Sequence, residues 1–208
     1  MRPTGDKRAY RSLKRDAEAG KTRARILNAA ARHLRARGPR SLSLESIAEQ
    51  AGVTRVTVYK QFGSRWALLE AVFDQVAAQG GLHRIPTAMA DPDARGSLQQ
   101  IVAIFCDFWD YNRKTIPRML SAAATEPRLA AAIRSRNERR RTIIATILQR
   151  MAGVEQVPPE TFNEVVDVLF VLMSHPVFAE LQGTGRSVEA VCRLIQELAI
   201  RTLDRLKV

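Results

Sequence analysis

The sequence predicts an all-α fold, and three observations support this prediction. Apolar residues recur at helical spacings of three and four through most of the 208 residues. Glycines, prolines and capping residues interrupt the pattern at intervals that suit helices. The sequence has no pair of alternating apolar and polar segments joined by a turn, so no β-hairpin is predicted. The interruptions divide the chain into about nine helices.

The positive charge of the chain is concentrated in its first third. The chain holds 33 Lys and Arg against 21 Asp and Glu, a net charge of +12. The first 65 residues hold 16 and 5 of these, and the remaining 143 hold 17 and 16. This asymmetry favours a polyanion such as double-stranded DNA as the partner of the N-terminal part. A basic solubilising face is the weaker alternative, because such a face need not be confined to one third.

Several classes of protein are disfavoured. No apolar run is long enough to span a bilayer and no secretory signal is present, so no membrane partner is expected. Cys106 and Cys192 lie in apolar helical patterns, which favours buried free thiols and a cytoplasmic location, although a disulfide stays open. No nucleophile elbow, phosphate loop or set of metal ligands is present, so neither an enzyme nor a metal or other cofactor is expected.

Residues 1–20 carry six basic residues and few apolar ones. We expect a disordered arm, or at most a fraying helix, that is either a solvated tail or a DNA-contacting arm. Helical spacing then predicts a helix from Thr22 to Arg37, where His33 is expected at the surface. Ser43 is a suitable cap for a second helix that Gly52 would end.

The next nine residues, TRVTVYKQF (residues 54–62), alternate as a β-strand would. A strand here would have no partner for its backbone groups, so a helix capped by Thr54 is predicted despite poor propensity. Helical spacing then directs Val58 and Phe62 toward the core, with Val53. The other side chains, Arg55, Val56, Thr57, Tyr59, Lys60 and Gln61, remain available for contacts.

Two short helices joined by Ala51-Gly52-Val53 form a helix-turn-helix pattern, which is typical of major-groove binding. The stretches ILNAAARHLRARG and LSLESIAEQAGVTRVTVYKQFGSRWALLEAV closely resemble the TetR family of bacterial transcription regulators. The resemblance implies a three-helix helix-turn-helix DNA-binding domain at residues 21–66. It also implies a helical ligand-binding and dimerisation domain at residues 67–208.

The resemblance further implies how individual residues meet DNA. Gln61 stands where a histidine is commoner, and Arg65 stands in for the usual lysine. The phosphate contacts would come from Ser43, Thr54, Tyr59, Gln61 and Arg65. Side chains with suitable hydrogen-bonding or apolar groups for base edges are Arg55, Val56, Thr57 and Lys60.

The remainder of the chain, after a loop at residues 86–96, predicts helices near 97–112, 116–125, 127–151, 159–181 and 187–207. Broad apolar stripes on the last two predict a homodimer interface, as the family has. Five arginines within residues 134–141 predict a solvated basic face. Large apolar side chains suited to a ligand pocket, or simply to a core, are Phe105, Phe108, Trp109, Met119, Ile144, Met151, Phe162, Met173 and Phe178.

These observations predict a sequence-specific, DNA-binding transcriptional regulator. In the leading interpretation it is a repressor that a small apolar or amphipathic ligand releases from a palindromic operator. The alternative is a helical DNA-binding adaptor or nucleoid-type protein without a small-molecule ligand. The salt dependence of DNA binding is steep for both functions and does not distinguish them. The preference for one DNA sequence over others does.

Overall fold

The computed structural model describes residues 5–151 and 154–206, with side chains in its first helix described from Arg15. Eleven α-helices and three short 3-10 turns lie in this part of the chain, and it contains no strand. The all-α prediction is therefore confirmed, while the expected number of about nine helices is too low. The chain divides into two compact units, Met1–Val76 and Ala77–Val208.

The first unit contains helices α1 (Gly5–Arg37), α2 (Leu44–Ala51) and α3 (Arg55–Phe62), and most of α4 (Arg65–Gln79). The predicted start of the first helix at Thr22 is wrong, because α1 already begins at Gly5. The segment expected to be disordered, or at most a fraying helix, is thus helical from that residue, and its residues 1–4 lie outside the described residues. The expected domain boundary between residues 66 and 67 falls inside α4.

The core of the first unit forms where the apolar faces of these helices meet. α1 packs against α2, and α2 packs against α3. The buried positions on each helix follow the three-to-four spacing of an amphipathic helix. Its buried apolar side chains include Ile26, Ala30, Leu34, Leu42, Ile47, Val58, Phe62, Leu68, Leu69, Val72 and Phe73.

The second unit is built from helices separated by prolines and short turns. They are α5 (Ile85–Met89), α6 (Ala94–Tyr111), α7 (Thr115–Ala123), α8 (Pro127–Leu148), α9 (Pro159–Leu172), α10 (His175–Gly183) and α11 (Val188–Thr202). The 3-10 turns are Leu82–Arg84, Val154–Gln156 and Leu203–Leu206. α6 lies centrally, since it packs against α5, α8, α10 and α11.

Two predictions for this unit are wrong. The stretch at residues 86–96 is not a continuous loop, because its first residues belong to α5. The single helix expected at residues 159–181 is two helices, α9 and α10, separated at Met173 and Ser174. Pro176 accounts for the break, because proline has no backbone N–H to continue a helical ladder and its ring clashes with the preceding turn. Across the described residues, no helix combines the length and apolar character needed to cross a membrane.

Candidate nucleic-acid interface

The turn between α2 and α3 has the geometry that a helix-turn-helix needs. Gly52 adopts a left-handed conformation with φ 61°, and its N–H donates to the carbonyls of Ala48 and Glu49 at the end of α2. A side chain at that φ would be strained, so the glycine permits the sharp change of direction. The Val53 N–H also donates to the Ala48 carbonyl, at 3.0 Å.

The stretch with strand-like alternation is a helix, as predicted. The Thr54 side chain caps α3 by accepting from the Thr57 N–H at 3.2 Å, which satisfies one of the free donors at the helix start. Val58 and Phe62 are buried and attach the helix to the core. At its other end, Arg23 lies 4.2 Å above the Phe62 ring and donates to the Gln61 carbonyl at 2.9 Å.

The outward face of α3 carries the predicted groove-facing residues. Arg55 and Lys60 are exposed, and Val56 and Tyr59 each keep 60% of their surface exposed. An exposed valine and tyrosine on one helix face have no role in the protein's own core, so they are available for a partner. Thr57 is half-buried, and its hydroxyl lies 2.9 Å from that of Thr54.

An acidic residue of α2 lies beside this face. Glu45 Oε1 is 3.7 Å from Arg55 Nε, and the two side chains are 75% and 66% exposed. An ion pair this exposed contributes about 0–1 kcal/mol, so it does not prevent Arg55 from engaging a base or a phosphate.

The two predicted contacts outside α3 lie at the starts of other helices. Ser43 caps α2, and its side chain accepts from the Ser46 N–H at 3.0 Å. Arg65 begins α4 and donates from Nε to the Leu42 carbonyl at 2.7 Å, and from Nη2 to the Pro39 carbonyl at 2.6 Å. The guanidinium therefore holds the loop between α1 and α2, a structural role that the sequence prediction of a phosphate contact did not include.

His33 was expected at the surface, and that expectation is wrong. Only 3% of its surface is exposed. Its Nδ1 lies 3.0 Å from the Gln50 amide nitrogen and its Nε2 lies 3.0 Å from the Ser41 hydroxyl. An amide nitrogen only donates, so Nδ1 accepts and the ring is neutral with its proton on Nε2. Burial, and then the charge of Arg37, lowers the pKa of His33, which favours this neutral form.

Most of the predicted pocket residues are buried in the second unit. Phe105, Phe108, Trp109, Met119, Ile144, Met173 and Phe178 are buried, whereas Met151 and Phe162 are half-buried. Phe105, Trp109 and Met173 meet around one narrow gap, together with Val102, Cys106 and Ile195. The gap is too small to hold a water molecule, so these side chains form a closed core in this conformation.

Comparisons with known proteins agree with this fold. The family model described as bacterial regulatory proteins, tetR family, matches residues 26–72. The HTH-type transcriptional regulator UidR of Escherichia coli K12 is 24% identical over 178 residues, which cover 83% of this chain and 88% of that protein. A TetR-like transcriptional regulator from Rhodococcus sp. RHA1 has a TM-score of 0.62 at 22% identity, over 88% of this chain and 96% of that chain.

A TetR transcription regulator from Haloarcula marismortui matches with a TM-score of 0.67 at 16% identity, over 89% of this chain and 97% of that chain. The two structural similarities extend the agreement in fold over both units, while the family match covers the helix-turn-helix and its flanking helices. In a helix-turn-helix, the second helix is the one that enters the major groove, and here that helix is α3. The chain is therefore a DNA-binding transcription regulator whose residues 26–72 match the TetR family.

Proposed function

We propose that the protein is a homodimeric repressor that binds a palindromic operator and is released from it by a small molecule. The outward face of α3 is the observation that carries the DNA-binding part of this proposal. Its exposed Arg55, Val56, Tyr59 and Lys60 combine cationic, apolar and hydroxyl groups on one short helix. Such a set suits a major groove, where bases offer acceptors and thymine methyl groups beside the phosphates.

The residues divide into two kinds of contact. Arg55 and Lys60 read guanine or contact a phosphate, and the apolar parts of Val56 and Thr57 pack on thymine methyl groups. Phosphate contacts come from Ser43, Thr54, Tyr59, Gln61 and Arg65, which fix the position of α3 without reading sequence.

The Tyr59 hydroxyl can be tested with a matched control. Tyr59→Phe should weaken binding to operator and unrelated DNA alike, because a phosphate contact carries no sequence information. Tyr111→Phe changes another exposed tyrosine, on α6, and should leave both affinities unchanged. Fluorescence anisotropy on both DNAs measures this. A loss confined to the operator would assign Tyr59 to base recognition instead.

Dimerisation through α9, α10 and α11 is supported by apolar side chains that the protomer leaves exposed. Val168 and Val171 on α9, and Leu198 on α11, keep 38%, 55% and 37% of their surfaces exposed. These exposed residues lie on two helices that pack against each other, a placement suited to contact with a second copy. A twofold dimer would place two α3 helices about one turn of DNA apart, which requires a palindromic operator.

This interface can be tested by introducing charge. Val171→Glu combined with Leu198→Glu should convert the dimer to a monomer in sedimentation velocity, because two buried carboxylates would face each other without partners. Leu120→Glu is the matched control, since Leu120 lies on α7 and is 42% exposed. A double variant that sediments as wild type would place the interface elsewhere.

Ligand release is supported by the aromatic and sulfur-containing side chains of the second unit. Such side chains adapt to bound apolar groups. Binding would act by favouring a conformation that no longer fits the operator, which requires only unequal ligand affinity for two states. Action on DNA also places the protein in the cytoplasm in this proposal.

A DNA-binding adaptor or nucleoid-type protein without a ligand is the second candidate, supported by the concentration of charge in the first 65 residues. Selection of genomic fragments on the full-length protein separates the two functions. A repressor enriches a small number of fragments that share a palindrome, whereas a nonspecific protein enriches none. The absence of any enriched palindrome would overturn the proposed function.

A further inference from the structure

One arginine of α8 points into the protein rather than into solvent. Arg140 is 5% exposed, although the arginines at residues 134–141 were expected to form a solvated face. It lies four residues before Ile144 and eight before Leu148, on the stripe that α8 buries. The helix therefore carries a guanidinium at a position where its spacing demands an apolar side chain.

The surroundings of this guanidinium are aromatic. Its central carbon lies 4.2 Å from the ring centre of Phe170, 5.7 Å from Trp109 and 5.8 Å from Phe105. One turn before Phe170, Asp167 pairs with Arg141 instead. In the part of the chain that the structure describes, Arg140 Nε is buried with no hydrogen-bond partner.

The pKa of Arg140 is consistent with its burial among aromatic rings. Burial, and then the charge of Arg141, lowers the pKa of Arg140 to about 10. Neither cause is an acidic group, and among the described residues the guanidinium forms no ion pair with a carboxylate. Aromatic faces attract a cation but accept hydrogen bonds poorly, and a guanidinium has five N–H donors to satisfy. A buried, uncompensated charge of this kind is unfavourable, and an anion would relieve it.

The narrow gap of the second unit lies against the same aromatic residues. Phe105 and Trp109 contact the Arg140 guanidinium and also line the gap, whose other walls are Val102, Cys106, Met173 and Ile195. Apart from the two aromatic residues, those walls are aliphatic or sulfur-containing. An anion at Arg140 would therefore share Phe105 and Trp109 with an apolar space that side-chain movement could open.

We propose that Arg140 binds the carboxylate of a small amphipathic ligand whose apolar part enters the gap between α6, α9 and α11. This inference rests on the proposed ligand-released function, for which it names the class of ligand. A planar carboxylate suits the fork of a guanidinium, because it accepts two parallel hydrogen bonds. A carboxylate from a second protein copy is a poorer fit, since Arg140 Nε is enclosed within one protomer.

Calorimetric titration of the full-length protein tests the ligand class with two pairs of probes. The acids are octanoate and 2-naphthoate, and 1-octanol and 2-naphthol are the matched neutral molecules. We expect at least one acid to bind about tenfold more tightly than its alcohol, because hydrogen bonds to charged groups are strong inside a protein. If neither acid binds more tightly than its alcohol, the inference is overturned.

Three variants assign that preference to Arg140. Arg140→Met should fold, because an apolar side chain of similar length replaces an uncompensated charge, and it should bind acid and alcohol alike. Arg140→Lys should keep part of the preference. Arg139→Met removes a neighbouring exposed arginine and should retain all of it. A preference that persists in Arg140→Met would overturn the assignment.

Fluorescence gives a second readout at the site. The chain has two tryptophans, so Trp66→Phe leaves Trp109 as the only one. We expect the preferred acid to change Trp109 emission in this variant but not after the further change Arg140→Met. If a saturating acid leaves the Trp109 emission unchanged, the placement of the ligand beside Trp109 is contradicted.

DNA binding distinguishes failure of the site from failure of the proposed function. If an acid binds through Arg140 but does not release a selected operator, the site stands and ligand-released repression fails. If neither acid binds more tightly than its alcohol while a palindrome is still enriched, the regulator stands and the site fails.

Discussion

Replacing Arg65 by Ala removes two hydrogen bonds from the guanidinium to the carbonyls of Pro39 and Leu42. Hydrogen bonds from a charged donor contribute roughly 1.5–3 kcal/mol each, and the half-buried position of Arg65 favours the lower value. The change should therefore destabilise the loop and the start of α2 by about 3 kcal/mol. Arg65→Lys should cost about half as much, because an ammonium lacks the fork that reaches two carbonyls.

Hydrogen exchange followed by mass spectrometry measures this locally. In Arg65→Ala, exchange of amides in the peptide covering residues 42–51 should accelerate by on the order of a hundredfold, which corresponds to about 3 kcal/mol. Arg25→Ala, which changes an exposed arginine of α1, should leave that exchange unchanged. If exchange in Arg65→Ala equals that of the control while DNA affinity falls, Arg65 acts directly on a phosphate and the loop argument is refuted.

Three further predictions concern charge and protonation. Arg55→Ala should relax the preference at one base pair of each half-site by ~1–3 kcal/mol, whereas Glu45→Gln should raise the affinity for DNA by at most about 1 kcal/mol. Fluorescence anisotropy on operators with single base-pair substitutions tests both, and equal losses on every sequence would contradict base reading by Arg55. Because burial lowers the pKa of His33, the unfolded chain takes up a proton first as the pH falls below about 6.5, and the free energy of unfolding decreases from there down to the pKa of the folded state. His33→Gln should lose that part of the pH dependence in urea unfolding. An unchanged pH dependence in this variant would contradict the role of His33. The interaction with Cys106 lowers the pKa of Cys192 while raising that of Cys106, so iodoacetamide should label half-buried Cys192 faster at pH 7, and equal rates by mass spectrometry would contradict this.

The sequence predicted α3 correctly because the information is local. A strand at Arg55–Phe62 would have lacked a partner, and Thr54 and Gly52 supplied the cap and the turn. Burial of Val58 and Phe62 then followed from helical spacing. The outward face follows from the same spacing, so the sequence alone assigns the candidate DNA-binding residues of α3 to its exposed side.

The features that escaped prediction depend on distant parts of the chain. Arg65 meets carbonyls 23 and 26 positions away, and His33 meets Gln50 17 positions away. No local pattern specifies such contacts. Arg140 is different, because its spacing from Ile144 and Leu148 already placed it on the buried stripe of α8. The surrounding run of arginines concealed that signal, since charge runs usually face solvent.

The energetics of Arg140 link the proposed ligand site to regulation. Lowering its pKa to about 10 from the ordinary arginine value corresponds to roughly 3 kcal/mol of folding free energy, which is lost by burying the charge beside Arg141. A carboxylate that accepts hydrogen bonds from the guanidinium stabilises the buried charge, but only in a conformation that is open enough to bind the carboxylate. If that conformation differs from the one that fits the operator, ligand and DNA oppose each other by a single coupling free energy. Operator DNA must then weaken carboxylate binding by the same factor by which the carboxylate weakens operator binding. Arg140→Met should reduce both factors together.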